Sequence, residues 1–258
     1  MSQTLEIDIQ GHTAVITINN PPANTWNPEN LAHLKRLVLE LNDDDQNYSL
    51  VITGQGDKFF SAGADLNLFA DGDKPNARNM ATLFGEAFET LAQYEGVSIA
   101  AINGYAMGGG LEAALACDIR IAERQAKLAL PEASVGLMPC AGGTQLLPWL
   151  VGEGWAKRMI LCGERVDTET ALRIGLVEEL VEQGEGLGRA LALASRVEKQ
   201  SPCSVRACKT SIQAARGGSL SGSLVKERSA FVDLFDTQDQ REGVTAFLEK
   251  RSPDWSNR

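Results

Sequence analysis

"AMGGGLEAALACD", residues 106–118, sets three consecutive glycines directly before a stretch of helical character. A glycine-rich turn that opens a helix bares backbone N–H groups with no intrahelical acceptor and aims the positive end of the helix dipole outward. Without a Cβ, the backbone also lets another molecule come close. Such a turn can hold an anion, or a carbonyl oxygen that becomes anionic during a reaction, with Gly109 offering one N–H. The same glycines would equally suit a helix that packs tightly on a strand, and the stretch alone leaves both readings open. Glu112 shifts the balance. It falls in the first helical turn, at the same end as Gly109, in a run otherwise made of Ala, Leu and Cys. A carboxylate in apolar surroundings is costly and has a raised pKa. An exposed acid would have served the helix dipole as well.

A second acid, Glu132, stands in "LALPEASVGLMPCAGGTQ" (128–145), again among apolar residues. Two carboxylates in apolar settings are usual equipment for acid/base work on one water or one carbon. Upstream, "FFSAGADL" (59–66) is a loop of small residues that offers a further exposed amide at Ala64. Two backbone donors and two acids suggest a site that forms an enolate and moves protons around it.

The rest of the chain is ordinary for a globular protein. It has 258 residues, 43% hydrophobic and 22% charged. No apolar run is long enough to span a membrane, and "MSQTLEIDIQG" has neither the basic nor the apolar region of a signal peptide. The five cysteines form no CxxC pair, which predicts reduced thiols and a cytoplasmic location. Two histidines, His12 and His33, lack the surroundings of a zinc site or a Ser-His-Asp triad, so no metal is expected. A net charge of −10 without a basic cluster argues against nucleic-acid binding. Neither a GxGxxG fingerprint nor a P-loop is present.

The pattern predicts two short strands over 5–20, a helix from Pro28 to the "NDDD" run, a buried strand at 48–56 and an irregular loop at 58–73. A long amphipathic helix follows at 76–96, then one strand at 98–106. Residues 117–152 read as alternating strand and loop, 154–163 as helix, and Asp167 or Thr168 as the cap of a short helix. Beyond residue 201 the chain reads as wholly helical, and a composition shift near 196 divides a core at 1–195 from a helical region at 196–258.

"SAGADL", "IAAINGYAMGGGLEAALACDIRIA" and "PEASVGLMPCAGGTQ", in that order, resemble the enoyl-CoA hydratase/isomerase (crotonase) family, and "DTQDQREGVTAFLEKRSP" extends the likeness to the C-terminus. The resemblance implies an α/β fold, a spiral of ββα units, with a C-terminal helical region used in assembly of a homotrimer or a hexamer. It implies an oxyanion hole from the N–H groups of Ala64 and Gly109, gripping the thioester carbonyl of an acyl-CoA, and a catalytic pair, Glu112 and Glu132. Both acids together point to hydration of a trans-2-enoyl-CoA, with coenzyme A as part of the substrate and no separate cofactor. Glu112 would deprotonate water and Glu132 exchange a proton with C2. Substrate contacts are implied at Ala62, Asp65, Leu66, Gly108, Pro131 and Gly136, and CoA contacts at Phe247 and Lys250. The loop 65–79 and the following helix are expected to line the acyl pocket. Asn20, Thr25-Trp26 and Asn67 depart from the family pattern beside CoA. Cys140 is expected to be a packing residue rather than a nucleophile. An isomerase, lyase or decarboxylase of the same family, or a noncatalytic RNA-binding homologue, are the alternatives.

Overall fold

Strand, strand, helix is the repeating unit, and each full unit after the opening hairpin feeds two sheets. The structure, a computed structural model, describes residues 4–258. β1 (Leu5–Gln10) and β2 (Thr13–Ile18) form an antiparallel hairpin, followed by α1 (Pro28–Asn42). Asn27 caps α1 and Pro28 opens it, where a missing N–H costs nothing. The first full unit is β3 (Ser49–Gly54), β4 (Phe59–Ser61) and α2 (Lys74–Ala92). The second is β5 (Val97–Ile102), β6 (Tyr105–Met107) and α3 (Gly109–Ala116). The third is β7 (Ile119–Glu123), β8 (Lys127–Ala129) and α4 (Gly143–Leu161). The first strand of each full unit joins the hairpin and the short β10 (Glu179–Val181) in a six-stranded sheet, β1-β2-β3-β5-β7-β10, parallel beyond the hairpin. Short strands join a second sheet, β4-β6-β8 and β9 (Val166–Asp167). This is the spiral of ββα units that the resemblance implies.

Parallel strands covered on both faces read as continuous apolar runs. All six residues of β3 are buried accordingly. One face packs Ile16, Leu50, Ile52 and Ile102 against the helices α1 to α3. The other face packs Val15, Val51, Ile99 and Ile121 against Ala190 and Ala194 of α6 (Gly186–Val197). Beyond α5 (Thr168–Arg173), capped by Asp167, and α6, the chain continues as α7 (Pro202–Ala214), α8 (Leu220–Asp233) and α9 (Gln238–Glu249).

Four sequence expectations are corrected. Residues 98–106 are two strands in different sheets, because Asn103 turns the chain by bonding the backbone of Gly54 and Gly56. Gly104 then comes so close to Lys58 that an added Cβ would lie 2.3 Å from its carbonyl oxygen. The loop at 58–73 contains β4 and a 3₁₀ turn, Leu66–Phe69. Helix α4 starts at Gly143, ahead of the expected 154, and bends at Gly152. The last nine residues are not helical. They fold back so that the N–H groups of Ser256 and Asn257 donate to Asp239. No helix among the described residues is long and apolar enough to cross a membrane.

Candidate active site

β6 ends at Met107 and α3 begins at Gly109, so the glycine run is the hinge between a short strand and a buried helix. Each glycine is required for a different reason. Gly108 has φ +53°, and a Cβ there would lie 2.9 Å from Glu132 Oε1. At Gly109 the place of a side chain is taken by the Phe84 ring, whose Cε1 would be 2.8 Å away. At Gly110 a Cβ would meet the Ser61 carbonyl oxygen at 2.2 Å. The packing reading is therefore met at Gly110, while Gly108 and Gly109 lie against groups of a cavity. Gly110 serves packing of α3 on β4, and Gly108 lets the turn run beside an acid.

The loop after β4 abuts the same turn. Gly63 has φ +87°, and its missing side chain would sit 2.6 Å from Met107 O and 3.0 Å from Gly109 N. Trp26 N donates to Gly63 O at 2.8 Å, and Asp65 N donates to Trp26 O at 3.3 Å. Between them, the N–H of Ala64 has no acceptor among the described residues, and neither has that of Gly109. Both residues line the same cavity, and Gly109 begins α3, whose positive end carries unpaired N–H groups.

Glu112 is 2% exposed, inside a helix whose every residue is buried. Its Oε1 accepts from Ala141 N at 2.8 Å and Gly143 N at 2.9 Å. Burial pushes its pKa up, and those two amides oppose the shift by favouring the charged form. Glu132 opens a 3₁₀ turn, Glu132–Val135. Its Oε2 is buried with no hydrogen-bond partner. Burial lifts the Glu132 carboxyl to about 7, its own backbone N–H pulls it down, and the Glu112 charge adds to the rise. One carboxylate is held by amides and the other has a free, buried oxygen.

Both acids face a cavity of about 330 Å³. Its lining brings together Ala62, Ala64, Leu66, Gly108, Gly109, Glu112, Pro131 and Glu132, all singled out in the sequence. Phe69 and Phe84 come from the segment expected to line an acyl pocket. Ser134, Val135, Leu137 and Met138 complete the wall, and nothing in the sequence singled them out. Cys140, expected to be a packing residue, instead lines it and is exposed, and partial desolvation with the two carboxylates pushes its thiol up to about 11, so it stays protonated at neutral pH.

Other expected contacts lie elsewhere. Asp65 points to its own turn and accepts from Asn67 N and Nδ2. Gly136 ends the Glu132 turn in a left-handed conformation and is not in the lining. Phe247 is 82% exposed on α9, and Lys250 is the left-handed cap of that helix. Helix α9 packs on α7 and on the turn Leu234–Asp236, so neither residue reaches the cavity of its own chain. Of the departures near the first loop, Trp26 is fully buried in the core, so it does not face a ligand. Asn20 is spent on Thr25. Among the described residues no group of three or more His, Cys, Asp or Glu is placed to hold a metal ion.

Residues 8–258 match the enoyl-CoA hydratase/isomerase family, and the chain belongs to it. It is 37% identical to a short-chain-enoyl-CoA hydratase of Clostridium acetobutylicum, over 95% of this chain and 94% of that protein. It is 40% identical to a crotonyl-CoA hydratase of Syntrophomonas wolfei, covering 92% of each. Among solved structures, DspI of Pseudomonas aeruginosa superposes with a TM-score of 0.96 at 68% identity, covering 98% of this chain and 97% of that one.

Proposed function

We propose that this protein is an enoyl-CoA hydratase, a hydro-lyase that adds water across the 2,3 double bond of a trans-2-enoyl-CoA to give a 3-hydroxyacyl-CoA. The observation that carries this reading is the pairing, in one apolar cavity, of two unlike carboxyl groups with two unpartnered backbone N–H groups. The thioester carbonyl accepts from Ala64 N and Gly109 N, which stabilise the oxyanion as the enolate forms. Losing one such donor typically costs ~10²–10³ in rate. Glu112, with Oε1 committed to Ala141 and Gly143, uses Oε2 to take a proton from water as the water oxygen bonds C3. Glu132, protonated, delivers its proton to C2. One O–H bond of water, the Glu132 O–H bond and the C2=C3 π bond break, and C3–O, C2–H and Glu112 O–H bonds form. The acids have exchanged charge states and reset by sharing the proton, so their titrations belong to the pair.

An isomerase needs only the acid at Glu132, and the second acid in the cavity favours hydration. Net charge −10 disfavours the RNA-binding alternative. All five cysteines are free thiols, which fits a cytoplasmic location.

The helices α7 to α9 carry Ile212, Leu220, Phe231, Phe247 and Leu248 exposed on one chain. Apolar exposure on this scale marks an interface. The chain assembles as a trimer or a dimer of trimers through this region, and Phe247 and Lys250 reach the CoA of a neighbouring copy. The test is hydration of crotonyl-CoA and longer enoyl-CoAs, followed by loss of conjugated absorbance. Absence of turnover on every chain length overturns the reading.

A further inference from the structure

The two proposed oxyanion donors sit on different units of the spiral, and three aromatic rings connect them. The loop that carries Ala64 is tied to residue 26 on either side of the free N–H, through Gly63 O and Asp65 N. The indole of Trp26 is 0% exposed and meets Phe88 edge to face, with centroids 5.4 Å apart and planes at 72°. Phe88 meets Phe84 in the same manner, at 5.7 Å and 80°. Phe84 then fills the place that a side chain on Gly109 would take.

We propose that Trp26, Phe88 and Phe84 form a strut that sets the distance between the Ala64 and Gly109 N–H groups, making Trp26 a positioning residue for the reaction. The proposal rests on the oxyanion reading above. Backbone donors cannot be aimed by their own side chains, so what surrounds them must fix their spacing. Edge-to-face rings hold a preferred geometry, and a buried ring has little room to move. Trp26 Nε1 is buried with no acceptor, so the indole gains no hydrogen bond from its polar group. Its contribution is volume and shape, which a leucine would supply only in part. Misplacement by about 1 Å near reacting atoms can cost ~10²-fold in rate.

The test compares Trp26→Leu with Val51→Ala, which opens a cavity in the core on the other face of the sheet. Each is measured for melting temperature, kcat and KM, and for binding of a chromophoric aryl-acryloyl-CoA whose absorption moves to the red when its carbonyl accepts hydrogen bonds. Trp26→Leu should lower kcat roughly 10-fold, with little change in KM, and shrink the red shift. Val51→Ala should lower only the melting temperature. A folded Trp26→Leu with wild-type kcat and wild-type red shift overturns the strut while leaving the hole intact. No red shift in the wild type would instead sink the oxyanion reading and the strut with it. If Trp26→Leu does not fold, Trp26→Phe decides: a reduced red shift supports the strut, and an unchanged one overturns it.

Discussion

Gly143 donates its backbone N–H to Glu112 Oε1 at 2.9 Å, from the first residue of a helix that starts 31 positions along the chain. The bond, with its companion from Ala141, fixes one carboxylate oxygen and leaves the other to face the cavity. It also separates the two acids chemically. Glu112 is charge-stabilised by amides, whereas Glu132 has an oxygen with no partner.

Replacing either acid by Gln keeps its shape and removes its proton transfer. Glu112→Gln and Glu132→Gln should each lower kcat by at least ~10²-fold. Because the pair passes one proton, the double variant should lose little more than the worse single one. Steady-state kinetics on the three variants is the check. Near wild-type turnover in either single variant would exclude the mechanism.

Glu132 titrates near 7, against an ordinary 4.5, because burial favours its neutral form. In the hydration direction it must start protonated, so kcat should fall as pH rises through about 7. Stability follows the same sign. The folded-state pKa is raised, so this contribution is complete below about 4.5 and is lost as pH climbs through 7. Glu132→Gln cannot ionise, so it should melt with a smaller drop between pH 5 and pH 8 than the wild type, while being far less active. An equal drop in both proteins would show that Glu132 is already ionised in the folded state.

Much of this arrangement was legible in the residues. Glu112 was conspicuous because nothing around it was polar, and the glycines because three in a row are rarely idle. What escaped has a physical cause in each case. Pro148 and Gly152 hid the first half of α4, yet the helix runs through one and kinks at the other. The turn at Asn103-Gly104 read as strand because β5 and β6 are nearly contiguous. Trp26 stands out only as a departure from the family pattern in a loop beside CoA, and its burial depends on long-range packing against α2, which local sequence does not encode. Phe84 falls on the helix expected to line the acyl pocket, yet nothing local marks it as a neighbour of Gly109. Only the tertiary fold brings it against Gly109.

Assembly is open to direct test. Ile212 is 71% exposed and Phe247 82% exposed on a single chain. Sedimentation at micromolar concentration should give a trimer or hexamer. Phe231→Asp together with Leu248→Asp should shift the mass toward monomer, because buried charges without partners are costly. If Phe247 acts on a neighbour's CoA, Phe247→Ala should raise KM in an intact oligomer. A stable wild-type monomer would refute both parts.

The glycine run separates packing from chemistry one residue at a time. Gly110→Ala drives a Cβ to within 2.2 Å of a backbone oxygen, which cannot be relieved without moving β4 or α3. It should melt earliest of the three and lose activity only as it unfolds. Gly108→Ala meets a φ of +53° and ψ of −127°, a region that costs a side-chain residue ~1–3 kcal/mol, and it crowds Glu132 Oε1. It should lose both stability and turnover. Gly109→Ala is the decisive variant. Its φ is not positive, so the backbone is unstrained, and the new methyl presses on Phe84 at 2.8 Å. Because this neighbour is a ring and not backbone, the clash falls on Phe84, displacing it from its packing on Phe88 and disturbing the place where the oxyanion sits. The expected outcome is a melting temperature above that of Gly110→Ala and a fall in kcat per folded molecule of ~10-fold or more. Melting and kinetics on the same three preparations check it. A Gly109→Ala protein that melts early yet turns over normally per folded molecule would return this glycine to packing alone.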